Sequence, residues 1–401
     1  DVSKEAGIDG AYFTLAATWW DYDADGDPDI YVSNDYTGPD KLYRNNGDGT
    51  FDDVALEVLP HTPWFSMGSD VSDLDNDGRL DFFASDMSAT SHYWEKLTMG
   101  NMDDMGWFLE WAEPRQYMRN AVYLNTGVGR MMEVAFLTGM ASTDWTWTPR
   151  LEDFDGDGHV DVFVTNGVIR DSMNSDLSAE AERTVKPGTR EHAEFWLEKP
   201  MRKERNLAFR NRGGLKFSGV GAEWGLDREG VSYGAATADF DGDGDLDLVV
   251  SNADAPLGLY RNTSTANVVQ VALVGAEANR SGLGATVTVT SSAGVQSRYV
   301  TLARGWLSSS EPVLTFGLGE DEHVDSLSVR WPAGRRVQRF ENLEANRRYT
   351  VTEDAAVEET PPVEPQPLFA RSDLLQGAVH REEAFDDFAR QPLLPLSLIH
   401  I

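Results

Sequence analysis

The chain has 401 residues, no cysteine and a formal net charge of −33, from 67 acidic against 34 basic residues. This acidity excludes nucleic acid and anionic lipid surfaces as the main partners, because both bind through Lys and Arg. The absence of cysteine excludes disulfide scaffolds, thiolate metal sites and a cysteine nucleophile. No run of about 18 apolar residues occurs, so we expect no membrane span.

The first predicted element is Asp1–Ile8, which matches Phe51–Val54 at the end of the first repeat described below. We expect Asp1–Ile8 to be the outermost strand of an earlier repeat. The sequence would then be a fragment whose signal peptide lay upstream.

One nine-residue loop recurs four times, with Asp at positions 1, 3, 5 and 9 and Gly at position 6. An apolar run follows each copy, such as Val162-Phe163-Val164, and then a second shared element that ends in Asn, such as Lys41-Leu-Tyr-Arg-Asn45. The unit is therefore strand, Asp loop, strand, strand, turn and strand. Four antiparallel strands in a repeated unit predict the blades of a β-propeller.

The Asp spacing predicts a calcium site in each loop, because Ca²⁺ prefers six to eight hard oxygen ligands in a tolerant geometry. Magnesium is disfavoured, since it binds few carboxylates and keeps several waters. An EF-hand is excluded, because position 12 is Val32, Ala84, Val164 or Val250 instead of Glu. The alternative is four solvated turns without a metal.

We expect about four Ca²⁺, one per loop. The predicted carboxylate ligands are Asp21, Asp23, Asp25, Asp29, Asp73, Asp75, Asp77, Asp81, Asp153, Asp155, Asp157, Asp161, Asp239, Asp241, Asp243 and Asp247. Position 7 is predicted to bind through its backbone carbonyl, in Asp27, Arg79, His159 and Asp245.

The loops and their flanking strands resemble the FG-GAP/VCBS repeats of integrin-α-like propellers. In that family the Asp loop is a calcium site between the first and second strands of a blade. The resemblance implies an all-β fold in which residues 1–265 form calcium-binding FG-GAP β-propeller blades in a partial ring.

Two long insertions follow the second strands of blades, at about residues 87–119 and 168–205, and both contain helical patterns. Because strands alternate in direction, we expect both insertions on the propeller face opposite the Asp loops. Long loops on a rigid scaffold often bind ligands. The aromatic rings of the first insertion form either a ligand platform or a small core: His92, Tyr93, Trp94, Trp107, Phe108 and Trp111. Trp145 and Trp147 are predicted to pack within a blade.

Residues 266–353 resemble the ASPIC/UnbV domain, as in bacterial relatives of cartilage acidic protein. The resemblance rests on the segments Gly282–Val287, Gly305–Ser309, Leu314–Gly319 and Val324–Pro332. Alternating polar and β-branched residues predict roughly seven short strands in a β-sandwich-like domain.

The remaining residues fall into three predicted segments. Residues 354–367 are an acidic, Pro-rich linker, and residues 368–395 resemble the lead-in to a second repeat array that the sequence lacks. Residues 396–401 match the translated end of a sequencing-library adapter, so we expect them to be an artefact.

No hydrolase, zincin, P-loop or dinucleotide motif occurs in the sequence, so we predict no catalytic residues and no organic cofactor. We expect a calcium-stabilised binding or adhesion protein that is extracellular, cell-surface or periplasmic. Its carbohydrate or protein ligand would bind to the propeller face opposite the calcium loops. The alternatives are a polysaccharide-processing propeller enzyme, a hydrolase or lyase, and a scaffold subunit of a secreted assembly.

Overall fold

The computed structural model of the chain describes residues 1–98, 110–276, 278–292, 294–332, 336–353 and 357–358. The predicted lead-in at 368–395, the predicted artefact at 396–401 and most of the predicted linker lie outside the described residues, as do Trp107 and Phe108. Among the described residues, no helix is long and apolar enough to cross a membrane.

Three consecutive sheets have the four antiparallel strands that the repeat predicts, in sequence order. Blade 1 consists of β1 (Phe13–Trp20), β2 (Asp29–Asp35), β3 (Lys41–Asn45) and β4 (Phe51–Asp53). Blade 2 consists of β6 (Ser69–Ser72), β7 (Asp81–Ala84), β9 (Ala121–Asn125) and β10 (Met131–Glu133). Blade 3 consists of β11 (Thr146–Glu152), β12 (Asp161–Asn166), β14 (Leu207–Asn211) and β15 (Phe217–Gly219).

Blade 4 has three described strands where the repeat predicts four: β17 (Ser232–Ala238), β18 (Asp247–Asn252) and β19 (Gly258–Tyr260). After β19 the chain does not turn back along the sheet. It enters β20 (Asn267–Val274), the first strand of the C-terminal domain. Two short pairs lie beside the blades: β5 (Thr62–Pro63) is parallel to β8 (Gln116–Tyr117), and β13 (Glu204–Arg205) is antiparallel to β16 (Glu229–Gly230).

The prediction that Asp1–Ile8 forms a strand is wrong. Residues 3–7 form turns, in which the Ala6 N–H donates to the Val2 carbonyl at 2.8 Å. Gly7 adopts a φ of 78°, a left-handed conformation that disfavours an extended strand. Similar helical turns follow the last strands of blades 1 and 2, as α1 (Ala55–Val58) and α3 (Ala135–Thr138). Asp1–Ile8 therefore resembles the turns that follow β4 and β10.

Both insertions are helical in part, as predicted, and connect the second and third strands of blades 2 and 3. Their helices are α2 (His92–Leu97), α4 (Ser175–Thr184) and α5 (Arg190–Glu198). The side chains of Ser91, Asn174 and Thr189 cap the three helix N-termini and accept backbone N–H groups there. Since an Asp loop and an insertion lie at opposite ends of the same strand, the insertions are on the face opposite the Asp loops.

The blade cores lie between neighbouring sheets, because successive side chains of a strand point to opposite faces. Phe82 faces blade 1 and stacks on Trp20 at 4.9 Å, whereas the adjacent Phe83 packs toward blade 3. Val162 and Val164 face blade 2, and Phe163 between them faces blade 4. Each fully buried side chain of this size contributes roughly 1.5–3 kcal/mol.

The C-terminal domain is a two-sheet sandwich, as the sequence predicts, with eight described strands instead of roughly seven. Its first sheet consists of β20, β23 (Val313–Gly319) and β26 (Arg347–Thr352). Its second sheet consists of β21 (Thr286–Ser291), β22 (Gly294–Tyr299), β24 (His323–Arg330), β25 (Arg336–Glu344) and β27 (Val357–Glu358). Strand β27 pairs with β25, so this sheet continues past residue 353 into the segment predicted as a linker.

A single arginine of the C-terminal domain bridges two blades. Arg304 donates from Nε and Nη2 to the two carboxylate oxygens of Asp70 on β6, at 2.6 and 2.9 Å. Its Nη1 donates to Glu152 on β11 at 2.5 Å. Nearby, the ring centroid of Trp147 lies 4.8 Å from that of Trp306, and Trp145 is buried. Both tryptophans pack, but Trp147 contacts the C-terminal domain and Tyr233 of blade 4 instead of packing within its own blade.

Candidate metal centres

Each Asp loop brings three carboxylates together at the end of its blade. One oxygen of each Asp at positions 1, 3 and 9 lies within 4.8 Å of the other two. Among the described residues, four such groups occur, one in each predicted loop: Asp21, Asp23 and Asp29; Asp73, Asp75 and Asp81; Asp153, Asp155 and Asp161; Asp239, Asp241 and Asp247. Carboxylate oxygens are the hard donors that Ca²⁺ and Mg²⁺ prefer, so the clusters could hold a metal ion.

Backbone N–H groups orient these carboxylates, as the third loop illustrates. The Gly158 N–H donates to Asp153 at 2.8 Å, because Gly at position 6 turns the chain back over position 1. Asp161 accepts from the Phe154 N–H at 3.0 Å and from the Asn211 N–H at 2.8 Å. The other three loops have the same contacts, so the local backbone sets the position of each cluster.

Position 5 is outside the three-carboxylate groups. Its carboxylate accepts the N–H of position 7 in every loop, as Asp157 does from His159 at 3.0 Å. Coordination by position 5, and by the position-7 carbonyls of Asp27, Arg79, His159 and Asp245, therefore stays a prediction.

Burial makes the charged state of these carboxylates unfavourable. It raises the pKa of Asp21, Asp73 and Asp153, all at position 1, to about 7. It raises the pKa of Asp29, at position 9, to about 8. Neighbouring carboxylates raise these pKa values further, as Asp23 does for Asp21. A divalent cation would stabilise the charged forms, so the donor set fits a metal ion.

The role of an arginine in the second shared element was missed by our sequence analysis. Arg210 approaches Asp155 at 2.5 Å and Asp157 at 2.9 Å, and Arg261 pairs in the same way in the fourth loop. Blade 2 has Leu124 at this place, and there Arg79 of the loop itself pairs with Asp77. The arginines reduce the repulsion between the outer carboxylates. The sequence feature that could have revealed this role is the Arg-Asn pair that recurs at the end of the shared element.

The asparagine of the same element links each Asp loop to the preceding one. The side-chain amides of Asn125, Asn211 and Asn262 donate to the carbonyls of Tyr22, Leu74 and Phe154, at 2.7, 2.9 and 2.7 Å. Each acceptor is position 2 of the loop in the preceding blade. Since the backbone N–H of the same asparagine donates to its own loop, one residue joins two candidate metal centres.

Replacing Asn211 with alanine should lower the free energy of unfolding by about 1–3 kcal/mol, because a buried carbonyl loses its donor. Asn45 is a matched control: its side-chain amide donates to the Pro28 carbonyl of its own loop and its side-chain oxygen accepts from the Gly47 N–H, and among the described residues it makes no bond to a second Asp loop. Urea unfolding of the two alanine variants measures the difference. Equal losses would show that the bond to the preceding loop contributes nothing.

Family comparisons agree with this architecture. The FG-GAP-like repeat family matches residues 21–84, and the FG-GAP repeat family matches residues 232–271. The ASPIC and UnbV family matches residues 275–358. The chain carries FG-GAP repeats followed by an ASPIC/UnbV domain.

Cartilage acidic protein 1 is similar to much of this chain. The protein of Homo sapiens is 28% identical over 322 residues, which cover 78% of this chain and 40% of the human protein. The protein of Mus musculus is 28% identical, over 84% of this chain and 45% of the mouse protein. The protein of Xenopus tropicalis is 29% identical, over 77% of this chain and 40% of the Xenopus protein. The chain thus spans less than half the length of these relatives.

Two solved structures show weak likenesses. The exotype rhamnogalacturonan lyase YesX has a TM-score of 0.29 and 12% identity, over 83% of this chain and 56% of that protein. The V. cholerae biofilm matrix protein Bap1 has a TM-score of 0.24 and 12% identity, over 85% of this chain and 64% of that protein. Scores this low support no inference about fold or function.

The ASPIC/UnbV domain packs against the Asp loops of the FG-GAP blades. Gln270 donates to Asp239 at 3.1 Å, and the Gly319 N–H donates to the Gly156 carbonyl of the third loop at 2.8 Å. The buried guanidinium of Arg298 partly offsets the burial that raises the pKa of Asp73 and Asp153. The domain therefore shields part of the candidate metal centres from solvent.

Aromatic side chains of the first insertion are exposed on the opposite face. The Tyr93 side chain is 66% exposed and that of Trp111 is 79% exposed. Trp94 packs instead, with the Arg202 guanidinium of the second insertion 4.2 Å from its ring centroid. Of the six rings of the predicted platform, those of His92, Tyr93 and Trp111 thus lie in solvent and that of Trp94 joins the insertions. Trp107 and Phe108 lie outside the described residues.

Proposed function

We propose that the chain is an extracellular binding or adhesion protein, stabilised by calcium. Its ligand, a carbohydrate or a protein, binds to the propeller face opposite the Asp loops. The exposed rings of Tyr93 and Trp111 carry this proposal, because amphipathic aromatic side chains contribute strongly to sugar and protein contacts. The FG-GAP and ASPIC/UnbV domains are consistent with an adhesion-like or sugar-processing protein.

The metal in this proposal is Ca²⁺, with about four ions held by the four Asp clusters. Each ion would be bound by the carboxylates at positions 1, 3 and 9 and supply positive charge that stabilises the blade end. Millimolar calcium outside the cell saturates even weak sites of this kind, which supports an extracellular, cell-surface or periplasmic location.

Replacing Tyr93 and Trp111 together with alanine should weaken ligand binding about tenfold or more, because exposed aromatic anchors account for several kcal/mol in typical interfaces. A glycan array, followed by calorimetry on the best ligand in millimolar calcium, measures the effect. Phe240→Ala is the matched control, since Phe240 is 53% exposed but lies in the fourth Asp loop on the other face.

Other results of this experiment would replace the proposal. Soluble product from a panel of polysaccharides would indicate a polysaccharide-processing hydrolase or lyase. Capture of a secreted protein without turnover, unaffected by the Tyr93 and Trp111 changes, would indicate a scaffold subunit. Unchanged binding in the double variant would place the ligand elsewhere on the molecule.

A further inference from the structure

The outer edge of blade 4 lacks the fourth strand that the other three blades have. Its last strand, β19, pairs with β18 on one side, and no described strand pairs with its other side. It is therefore an edge strand, whose outward N–H and C=O groups can bond a further strand. This edge contains neither Tyr93 nor Trp111, so it is separate from the surface of the proposed function.

A cavity of about 570 Å³ lies beside this edge, between blades 3 and 4. Its apolar and aromatic wall continues the core that the two blades share. The lining residues that belong to this core or pack against it are Phe154, Trp224, Leu226, Leu248 and Tyr260. Apolar surface of this kind is stabilised when another apolar group covers it.

In blades 2 and 3, the first residue of the fourth strand fills the place that is a cavity beside blade 4. Met131, which begins β10, is buried in the core between blades 1 and 2. Phe217, which begins β15, packs against the core between blades 2 and 3. The second residue of the Asp loop, the second of the second strand and the third of the third strand contribute to each core: Tyr22, Phe82 and Tyr123; Leu74, Val162 and Phe209; and, at the cavity, Phe154, Leu248 and Tyr260.

The strand register shows which residue of a fourth strand would enter the cavity. Met131 lies opposite Asn125, and Phe217 lies opposite Asn211. The corresponding asparagine of blade 4 is Asn262, which lines the cavity. A residue opposite Asn262 would lie on the same face of the sheet as Tyr260, because alternate residues of a strand share a face. Its side chain would therefore point into the cavity.

A valine three residues later is the second recurring feature of the outer segments. Its N–H donates, at 2.8 Å in each of the three blades, to the carbonyl of the second residue of the third strand. The valines are Val54, Val134 and Val220, and their acceptors are Leu42, Val122 and Ala208. These valines and their acceptors are all buried. In blade 4 the corresponding residue is Leu259, whose side chain is 67% exposed.

We propose that the outer edge of blade 4 binds an extended segment of a partner polypeptide, which adds the missing fourth strand. The segment has Phe or Met opposite Asn262, which enters the cavity, and Val three residues later, which covers Leu259. Its backbone pairs with β19 in antiparallel orientation, as β4, β10 and β15 pair in their own blades. In strand addition the backbone bonds contribute affinity and the side-chain pockets contribute specificity. A polypeptide fits this edge because β19 offers backbone groups at the spacing of a paired strand.

Fluorescence anisotropy in millimolar calcium tests the proposal. The probe is a labelled, end-capped peptide with the sequence of the blade 3 outer segment, residues 215–221, Leu-Lys-Phe-Ser-Gly-Val-Gly. It should bind saturably to the whole chain. Alanine in place of its Phe or its Val should weaken binding about tenfold or more, because anchor side chains account for most of the binding energy of such contacts. Alanine in place of its Ser, which is neither anchor, should leave binding unchanged.

A matched pair of variants of the chain locates the site. Leu259→Asp should weaken binding of the peptide about tenfold or more, because a carboxylate would replace the apolar contact with valine. Leu257→Asp is the control: it adds the same charge, its side chain is 65% exposed, and it precedes the part of β19 that the peptide would cover. Both leucines are exposed, so both variants should fold, and their melting temperatures check this.

Three results would contradict the proposal. If the peptide does not bind, or both variants of the chain weaken its binding equally, the edge of blade 4 is not the site. If N-acetyl-phenylalanine amide binds as tightly as the peptide, the cavity takes a small aromatic ligand and no strand is added. None of these outcomes depends on Tyr93 or Trp111, so failure here leaves the proposed function standing.

Discussion

Replacing Arg304 with methionine is expected to lower the free energy of unfolding by about 3–5 kcal/mol. The change would leave the carboxylate of Asp70, which is fully buried, without its two hydrogen bonds from Arg304. Arg150 cannot replace it: its Nη1 is 3.9 Å from Asp70, and its Nε donates to the Ala235 carbonyl at 2.8 Å. The ASPIC/UnbV domain would also lose its bond to Glu152 in blade 3.

Urea unfolding measures this loss, and Arg347→Met is the control. Arg347 is in the same domain and pairs with Glu344 at the surface, with 64% of its side chain exposed. Removing it should change the free energy of unfolding by less than about 0.5 kcal/mol. An Arg304 variant that unfolds at the wild-type urea concentration would show that the contact with Asp70 does not stabilise the fold.

Removal of calcium is expected to have the largest effect on stability. A site contributes about 2.7 kcal/mol when free calcium is a hundredfold above its Kd, so four sites would contribute roughly 10 kcal/mol. The physical reason is the repulsion within each three-carboxylate group, which the neighbouring arginines offset only in part and a divalent cation would offset further. Thermal unfolding in a chelator and in millimolar calcium measures the difference in melting temperature.

A single substitution separates metal binding from other effects of the Asp loops. Asp75 is exposed at position 3 of the second loop and accepts one long hydrogen bond, from the Asp77 N–H at 3.2 Å. Asp75→Asn should therefore be at least as stable as the wild type in chelator, because one of three mutually repelling carboxylates loses its charge, and in calcium it should lose the stabilisation that one site contributes. Asp48→Asn, in the exposed β3–β4 turn outside the clusters, should give the same difference between calcium and chelator as the wild type.

Features encoded by short spacings could be predicted from the sequence. The continuous apolar run Val162-Phe163-Val164 indicates a strand that is buried on both faces, and β12 in blade 3 is such a strand. The Asp spacing predicted four converging carboxylates in each loop, and three of them, at positions 1, 3 and 9, converge because one tight loop holds them. The insertion helices could also be predicted, because a helical pattern is encoded by residues that are close together in the sequence.

Features that depend on how blades and domains meet could not be predicted. The Asn211 amide bonds Leu74, 137 residues earlier, and Arg304 bonds Asp70, 234 residues earlier. Nothing local to either residue marks its partner. Asp1–Ile8 was misassigned because its match, Phe51–Val54, consists of the short strand β4 and the residue before the helical turn α1, and Asp1–Ile8 resembles that turn and not the strand.

Titration of calcium into the metal-free chain by calorimetry tests the account most directly. We predict about four bound Ca²⁺ for the wild type, one for each three-carboxylate group, and one fewer for Asp75→Asn. Absence of calcium binding, together with the same melting temperature in chelator and in calcium, would show that the Asp loops are turns that hold no metal.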